Sequence, residues 1–342
     1  MSVSIIGIVG VPACYGGFES LVENLVDSEK TTYYVYCQSN AYHVKEMYYK
    51  NAELKYLPLK ANGIQSIPYD IASIFHSLTM NKNDLLILGV SGAIAIPVVK
   101  LISGRKVVTN IDGLEWKRNK WGKLAKWFLK FSEGLAVKYS DIIVSDNQAI
   151  TDYVRAEYDK DAVTIAYGGD HAIVNELPKD KEDYFLSLCR IEPENNVEII
   201  LDAFSQSTDK LKFVGNWDNS EFGRLLKLKY SSFKNIEIID PIYDLSALFE
   251  LRSRCKGYVH GHSAGGTNPS LVEMMHFDTN IICFDCSYNR ESTENEAHYF
   301  LNINQLLELL GSQLENNGSI MLEIANRRYT WNIVRNQYED LF

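Results

Sequence analysis

Short apolar runs alternate along this chain with longer stretches in which apolar residues recur every three or four positions. In the first half the apolar runs are rich in β-branched and aromatic residues and read VSIIGIVG, YYVYC, LKYLPL, DLLILG, KVVTNI and DIIVS. Such runs are typical of buried strands, whereas intervening stretches such as FESLVENLVDS have the period of a helix. Regular alternation of this kind predicts parallel βαβ units with helices on both faces of a sheet.

The alternation restarts in the second half, where YFLSLCR, LKFVG, IEIID, GYVHG and NIICFD are further strand candidates. A polar loop, Tyr167–Asp183, separates the halves, and a long helical stretch from Ser319 ends the chain. The predicted fold is therefore α/β, with two doubly wound Rossmann-like domains at residues 1–170 and 171–325 and a helix at 326–342. Ligands of such sheets bind beyond the carboxyl ends of the strands, so residues that follow strands are the candidates for function.

Composition and charge narrow the class of protein. The 342 residues suit two domains, 46% of them are hydrophobic and 23% are charged, as in a soluble globular protein. The net charge of -10 argues against a protein that coats nucleic acid, and six scattered cysteines indicate reduced thiols in a cytoplasm. The apolar stretch Leu85–Val99 is too short to span a bilayer, and no basic residue precedes Val3–Val11 as in a secretory signal.

Two glycines stand where the first strand is followed by a helix, in GVPACYGGFESLVENL. Gly16 and Gly17 have no Cβ, so backbone N–H groups at this helix N-terminus can approach a phosphate or a sugar. A tight turn between strand and helix explains the same pair without a ligand. The segment has no G-x-G-x-x-G fingerprint of a dinucleotide site.

An arginine follows the first strand of the second half, in CRIEPENN. The guanidinium of Arg190 carries a fork of donors that matches the paired oxygens of a diphosphate. The alternative is a surface arginine that caps a loop.

The segment HGHSAGGTNPSLVEMM contains a strand end, a glycine loop and the start of a helix. Thr267 or Asn268 is the predicted N-cap, and open N–H groups of the first helical turn suit an anion. Glu273, one turn further along, suits hydrogen bonds from ribose hydroxyls. The candidate donor-binding residues of this segment are His262, Gly266, Thr267, Asn268, Ser270 and Glu273.

His260 and His262 are two apart on a strand and share one face of it. A metal site needs further ligands, and none is apparent nearby, so no metal site is predicted. Buried, hydrogen-bonded histidines are the alternative.

The segment NIDGLEWKRNKW follows another strand and places Asp112 at its end. From Glu115 to Lys138 the chain has seven basic and two acidic residues, a net charge of +5, interleaved with tryptophan and phenylalanine. In an acidic protein such a segment indicates contact with an anionic membrane surface. A solvated helix with its aromatic side chains packed inward is the alternative.

On these motifs the chain resembles the GT-B glycosyltransferases of family 4, and among them the bacterial rhamnosyltransferase-like group that builds surface polysaccharides. The resemblance rests on GVPACYGGFESLVENL, NIDGLEWKR, LSLCRIEPENN and HGHSAGGTNPSLVEMM, and it covers nearly the whole chain. It implies an acceptor-binding N-terminal domain, a nucleotide-sugar-binding C-terminal domain, retaining catalysis in the cleft, and a last helix that crosses back onto the first domain. It also implies that no metal or other cofactor is needed.

The resemblance assigns roles to residues. Asp112 stands about where related enzymes place a histidine or aspartate beside the reacting sugar, so it is the predicted catalytic residue. Gly16, Gly17 and Arg190 join the donor-binding residues of the glycine loop. The predicted contacts with the acceptor or the membrane are Glu115, Trp116, Lys117, Arg118 and Lys120.

Two positions depart from the family pattern. The first glutamate of the family's Glu-x7-Glu motif is replaced by Gly265, and the lysine that usually follows the arginine is replaced by Asn195. The lost carboxylate normally contacts hydroxyls of the donor sugar, so a 6-deoxy sugar is favoured over glucose-type donors.

The expected function is transfer of a 6-deoxyhexose, L-rhamnose from dTDP-rhamnose, to a polyprenyl-diphosphate-linked saccharide at the cytoplasmic face of the cell membrane. The alternatives are a non-catalytic subunit that binds a sugar nucleotide or acts as a scaffold, a transferase that uses another UDP or GDP sugar, and an epimerase of the same architecture.

Overall fold

The computed structural model describes residues 1–13, 16–80, 83–117 and 121–342. They form two compact units, of which the first combines Met1–Tyr167 with Trp331–Phe342 and the second is Gly168–Thr330. The domain boundaries predicted from the sequence lie at residues 170 and 325. Each unit is built on its own sheet.

The sheet of the first unit is almost entirely parallel. Among the described residues its strands are β1 (Ser2–Ile6), β2 (Thr32–Gln38), β3 (Tyr48–Tyr49), β4 (Ala52–Leu57), β5 (Asp84–Leu88), β6 (Val107–Asn110), β7 (Ile142–Ser145) and β8 (Val163–Thr164). They lie in the order β3-β4-β2-β1-β5-β6-β7-β8, and only β3 pairs antiparallel, with β4. The chain leaves β1 in one direction and returns to β5 on its other side, which makes β1 and β5 the switch point where such sheets bind ligands.

Helices connect these strands: α1 (Gly17–Leu25), α2 (Ser66–Leu78), α3 (Ile96–Ile102), α4 (Lys123–Tyr139) and α5 (Gln148–Tyr158). In α1 the apolar side chains Leu21, Val22 and Leu25 are buried, as their helical spacing predicts. The carboxyl end of each parallel strand therefore opens into a loop or a helix N-terminus at one edge of the sheet.

The second unit has a six-stranded sheet of parallel strands. They are β9 (Glu182–Leu188), β10 (Leu211–Val214), β11 (Ile236–Ile239), β12 (Cys255–His260), β13 (Asn280–Phe284) and β14 (His298–Phe300), in the order β11-β10-β9-β12-β13-β14. The helices of this unit are α6 (Val197–Ser205), α7 (Glu221–Tyr230), α8 (Leu245–Arg254), α9 (Pro269–Met275), α10 (Ser287–Ser292), α11 (Ile303–Gly311) and α12 (Gly318–Arg328). Its switch point lies between β9 and β12.

Aromatic side chains fill much of the core of the second unit. The rings of Phe213 and Trp217 meet edge to face with centroids 5.1 Å apart, and those of Phe185 and Phe204 meet at 5.6 Å. All four are buried beneath the sheet and its helices. This packing holds the strand ends of the unit in fixed positions.

The last helix, α13 (Trp331–Glu339), belongs to the first unit. Arg335 Nε donates a hydrogen bond to the Asn24 carbonyl over 3.0 Å, and Asn110 Nδ2 donates to the Tyr338 hydroxyl over 2.7 Å.

The prediction of an α/β fold with two doubly wound domains is confirmed. Among the described residues, no helix combines the length and the apolar character that crossing a bilayer requires.

A buried carboxyl lies at the switch point of the first sheet. Asp70, in α2, is 1% exposed, and its Oδ2 accepts a hydrogen bond from the Ser91 hydroxyl just beyond β5. Its Oδ1 has no hydrogen-bond partner among the described residues. Burial raises the pKa of Asp70 from 3.8 to about 7, although the Ser91 hydrogen bond acts to lower it.

This shift predicts a pH dependence of stability. A raised pKa means that the folded state holds the proton more tightly, so the stability contributed by Asp70 is full below pH 3.8 and is lost as the pH rises towards about 7. Asp70→Asn is neutral throughout, so its free energy of unfolding relative to wild type should increase with pH across that window. Urea unfolding of the variant and of wild type at pH 3.8 and pH 7 measures this difference in the free energy of unfolding. Asp152→Asn, at an exposed position, is the control. A difference that does not change with pH contradicts the raised pKa of Asp70.

Candidate functional site

The loops that follow β9 and β12 are joined at the switch point of the second sheet. Asn196 Nδ2 donates to the Gly261 carbonyl over 2.8 Å, and the backbone N–H of Ser263 donates to the Glu194 carbonyl over 3.0 Å. The two loops therefore form one rigid ledge beyond the carboxyl ends of neighbouring strands.

Asn195 and His262 make the central contact of this ledge. Asn195 Nδ2 donates to the Arg190 carbonyl over 2.6 Å, which leaves its Oδ1 to accept from His262 Nδ1–H over 2.7 Å. Asn195 is buried, so its amide supports the loops of the ledge. From the sequence, Asn195 is only the neutral residue that replaces the family's lysine. The structure shows that its side chain has a structural role.

Arg190 lies two residues beyond β9 and points its guanidinium outward. Its side chain is 52% exposed, and its ion-pair partner, Glu192, is 3.7 Å from Nη2. The backbone carbonyl of Arg190 is held by Asn195, while the side chain is accessible to an anionic ligand. An exposed guanidinium can bind an anionic group through its fork of donors.

The glycine loop after β12 ends at the N-cap of α9. Gly265 has a φ of +108°, a conformation that side chains with a Cβ rarely adopt. The N-cap is Asn268, whose side chain accepts from the Ser270 backbone N–H over 3.0 Å. Gly266 and Thr267 are buried within the loop.

Glu273 is the acceptor at the centre of a partly buried network of polar side chains. Arg252, at the end of α8, donates to Glu273 Oε2, and His171 Nε2 lies 3.4 Å from Oε1. The side chains of Arg252 and Glu273 are 4% and 14% exposed. Burial acts to raise the pKa of Glu273, but Arg252 and His171 outweigh it and hold that pKa below its usual value. The carboxylate predicted to meet a ribose thus contacts two side chains of the protein, the guanidinium of Arg252 and the ring of His171.

His260 lies beneath the ledge and is fully buried. Burial, together with the neighbouring His262, lowers the pKa of His260 well below its usual value, so the ring is neutral. Among the residues that the structure describes, no group of three or more His, Cys, Asp or Glu side chains is arranged to hold a metal.

In the first unit, α1 holds the loop that precedes it. Glu19 Oε1 accepts from the Val9 N–H and Glu23 Oε2 from the Ala13 N–H, both over 2.8 Å. Gly16, the residue before α1, has a φ of +85°, and a Cβ there would lie 2.7 Å from Glu19 Oε2. The glycine is needed for this turn and for the close approach of the glutamate.

Asp112 follows β6 in a left-handed conformation, with a φ of +60°. Its backbone N–H donates to Asn110 Oδ1 over 2.9 Å. Burial, with Asp112 contributing, raises the pKa of Glu19, so the two carboxyls interact. A Cβ at Gly17 would lie 3.4 Å from the ring of Tyr167. Gly16, Gly17 and Asp112 are therefore grouped at one edge of the first sheet, together with Glu19 and Tyr167.

The aromatic segment after Asp112 is packed against α4 and α5. Trp116 Nε1 donates to Glu133 Oε2 over 3.0 Å, and Trp121 Nε1 donates to Glu115 Oε2 over 3.1 Å. The Lys117 ammonium lies 5.4 Å from the centre of the Trp116 ring. Trp116, Glu115 and Lys117 therefore contact other residues of their own unit, whereas Trp127 and Phe131 of the same predicted segment are exposed. Arg118 and Lys120 lie outside the described residues.

The predicted site residues form two groups, one in each unit. Sequence reasoning missed Glu19, His171 and Arg252, which contact the predicted residues. A glutamate three positions after a glycine at a helix start signals Glu19, since helix starts favour a side chain that folds back onto the preceding loop. His171 and Arg252 reach Glu273 through tertiary packing, and no local motif signals them.

Comparisons with known proteins found a family model that matches part of the chain and solved structures with a similar fold. Residues 1–170 match a family model described as a domain of unknown function, DUF1972. No curated protein sequence matches the chain.

Solved structures similar to this one include glycosyltransferases. Sucrose-phosphate synthase from Thermosynechococcus elongatus is 14% identical with a TM-score of 0.78, over 99% of this chain and 98% of that one. HepE of Anabaena, in complex with UDP and glucose, is 14% identical with a TM-score of 0.73 over the same shares. A glycosyltransferase from Rickettsia africae is 12% identical with a TM-score of 0.70, over 99% and 97%. These likenesses show that the fold is GT-B.

The ionic network predicts the behaviour of a Glu273 variant. Glu273→Gln leaves the buried guanidinium of Arg252 without its counter-ion, and breaking a buried pair in this way costs about 3–5 kcal/mol. We expect a clear fall in melting temperature, larger than for Glu250→Gln, which removes one partner of the exposed pair with Arg254. Equal melting temperatures for the two variants contradict a structural role of the network.

Proposed function

We propose that this protein is a retaining glycosyltransferase that takes its sugar from a nucleoside diphosphate donor. The observation that carries the proposal is the exposed guanidinium of Arg190, on the loop that Asn195 joins to His262 at the switch point of the second sheet. The fold supports it, because HepE, which shares that fold, has been crystallised with UDP and glucose.

Transfer requires that the diphosphate be held while its bond to the sugar breaks. Arg190 binds the phosphate oxygens, and its charge stabilises the negative charge that builds on the leaving group. We further propose that Arg190 and backbone N–H groups of the ledge suffice for this, without a metal. Turnover that survives chelation by EDTA supports this part of the proposal, and loss restored by a divalent cation contradicts it.

The proposed chemistry balances without a protein nucleophile. The bond between the anomeric carbon and the phosphate oxygen breaks, and a bond from the acceptor hydroxyl oxygen forms on the same face. The hydroxyl proton moves to the departing phosphate. Asp112 stabilises the positive charge that develops on the anomeric carbon.

For the donor sugar we propose a 6-deoxyhexose, with dTDP-rhamnose as the first compound to test. Gly265 stands where family 4 enzymes have a glutamate that contacts sugar hydroxyls, and its φ of +108° strains any side chain placed there. For the acceptor we propose a polyprenyl-diphosphate-linked saccharide at the cytoplasmic face of the membrane. The support for it is the sequence resemblance to enzymes of surface polysaccharide synthesis.

A non-catalytic sugar-nucleotide-binding subunit is the second candidate. The absence of a carboxylate at Gly265 and the structural engagement of Asn195 favour it. Incubation with dTDP-rhamnose, UDP-glucose and GDP-mannose, with and without a lipid-linked acceptor, separates the two. Acceptor-dependent release of nucleoside diphosphate supports the transferase, whereas tight binding without release supports the subunit.

The donor assignment predicts the effect of Arg190→Ala. Losing a charged hydrogen bond costs about 1.5–3 kcal/mol, so donor affinity should fall about 10- to 150-fold. Arg224→Ala, which removes an exposed arginine of α7, is the matched control and should leave affinity unchanged. Titration calorimetry measures both; equal donor affinity for Arg190→Ala and wild type removes Arg190 from the site.

The catalytic assignment predicts the effect of Asp112→Asn. Asparagine tolerates the left-handed backbone of this position, so the variant should fold, while turnover falls about 100- to 1000-fold with little change in donor affinity. Asp159→Asn is the control, because Asp159 has a φ of +50° at the end of α5 and is exposed. Near-normal turnover per folded molecule of Asp112→Asn contradicts the assignment.

A further inference from the structure

An apolar stripe is exposed along α4. Leu124, Trp127 and Phe131 are 80%, 64% and 49% exposed, and their spacing of three and four residues places them on one face of the helix. The rings of Trp127 and Phe131 stack with centroids 5.7 Å apart. Large apolar side chains that are grouped and exposed in this way mark an interaction surface.

The neighbouring helix extends this apolar surface. Strands β5, β6 and β7 follow one another across the sheet, and right-handed connections place α3 and α4 on the same face of it. The two helices pack side by side. On α3, Val98, Leu101 and Ile102 are exposed. We call these six residues of α3 and α4 the apolar face.

Lysines flank the apolar face. Lys123 is exposed on α4 beside the stripe, and Lys126, which is partly exposed, lies further round the same helix. Lys138 is exposed at the other end of the helix. The one acidic residue of α4, Glu133, is buried and accepts hydrogen bonds from Trp116, Tyr153 and Tyr158. The exposed charge of α4 is thus positive, in a protein whose net charge is -10.

From this geometry we infer that the apolar face is a docking surface for an anionic lipid bilayer. Trp127 and Phe131 enter the boundary between headgroups and acyl chains, and Lys123 and Lys126 contact the phosphate groups of the lipids. The combination of apolar and cationic side chains on one helix matches the chemistry of that boundary. This inference rests on the lipid-linked acceptor of the proposed function and deepens it. It narrows the membrane contact predicted for Glu115–Lys138 to α4 and adds the exposed residues of α3.

Vesicle sedimentation of the full chain, without donor or acceptor, tests the inference. We expect binding to vesicles of equal parts phosphatidylglycerol and phosphatidylcholine, little binding to pure phosphatidylcholine, and weakening by salt. Lys123→Glu with Lys126→Glu should weaken binding about thirtyfold or more, since each lysine near such a surface contributes about a fivefold factor. Lys160→Glu with Lys179→Glu, at exposed positions elsewhere, is the matched control.

A separate variant tests how much the apolar side chains contribute to vesicle binding. Trp127→Ser with Phe131→Ser should abolish sedimentation with the anionic vesicles, whereas Leu225→Ser with Leu228→Ser, on the exposed side of α7, should not. Melting curves confirm that each variant is folded. Wild-type emission should shift to the blue with anionic vesicles, and Trp127→Phe should remove that shift.

The outcomes separate this inference from the proposed function. If folded α4 variants bind vesicles like wild type, the inference that the apolar face docks on a bilayer is overturned. If these variants also lose a dimer that wild type shows in size-exclusion chromatography, a second copy of this chain covers the apolar face. Nucleoside diphosphate release from dTDP-rhamnose, UDP-glucose and GDP-mannose is measured in parallel, with a lipid-linked acceptor dispersed in detergent and no vesicles. Its absence in wild type counts against the proposed function and leaves the vesicle result intact.

Discussion

The hydrogen bond between His262 and Asn195 is the contact on which the second unit's site depends. Parallel strands β9 and β12 are neighbours, but the chain leaves them in opposite directions, so the two loops beyond them expose polar backbone groups that no strand can pair. Asn195 pairs with one of these groups, the Arg190 carbonyl, and its amide oxygen binds the side chain of His262 in the other loop. The ledge that results is rigid, and Arg190 is left with an outward-facing side chain.

The ionic network around Glu273 stabilises the same ledge from the side of α9. Arg252 comes from α8 and His171 from the start of the unit, so three separated segments meet at one carboxylate. The network lowers the pKa of Glu273 and keeps it charged despite its burial. A ligand hydroxyl that approaches this carboxylate therefore meets an acceptor whose position is already set by Arg252 and His171.

Much of the fold follows from the pattern of apolar residues, because each parallel strand is buried on both faces and reads as an apolar run. The strands predicted at YFLSLCR and GYVHG correspond to β9 and β12. The ends of these strands determine where Arg190 and His262 lie. The two-residue strands β3 and β8 are too short to have a pattern. The predicted helical tail is broken at Tyr329, whose carbonyl accepts from the Gly169 N–H and faces His276 Nε2. The partners of Glu273 and Asn195 come from distant parts of the chain, and only tertiary packing determines them.

Hydrogen exchange of the full chain, with and without a nucleoside diphosphate, tests the central claim most directly. The account predicts that UDP or dTDP slows exchange of backbone amides in the loops after β9 and β12, at residues 189–196 and 261–273, and that Arg190→Ala reduces this protection. Protection that is absent from both loops in the presence of bound nucleotide, or confined to residues 1–167, would contradict the account.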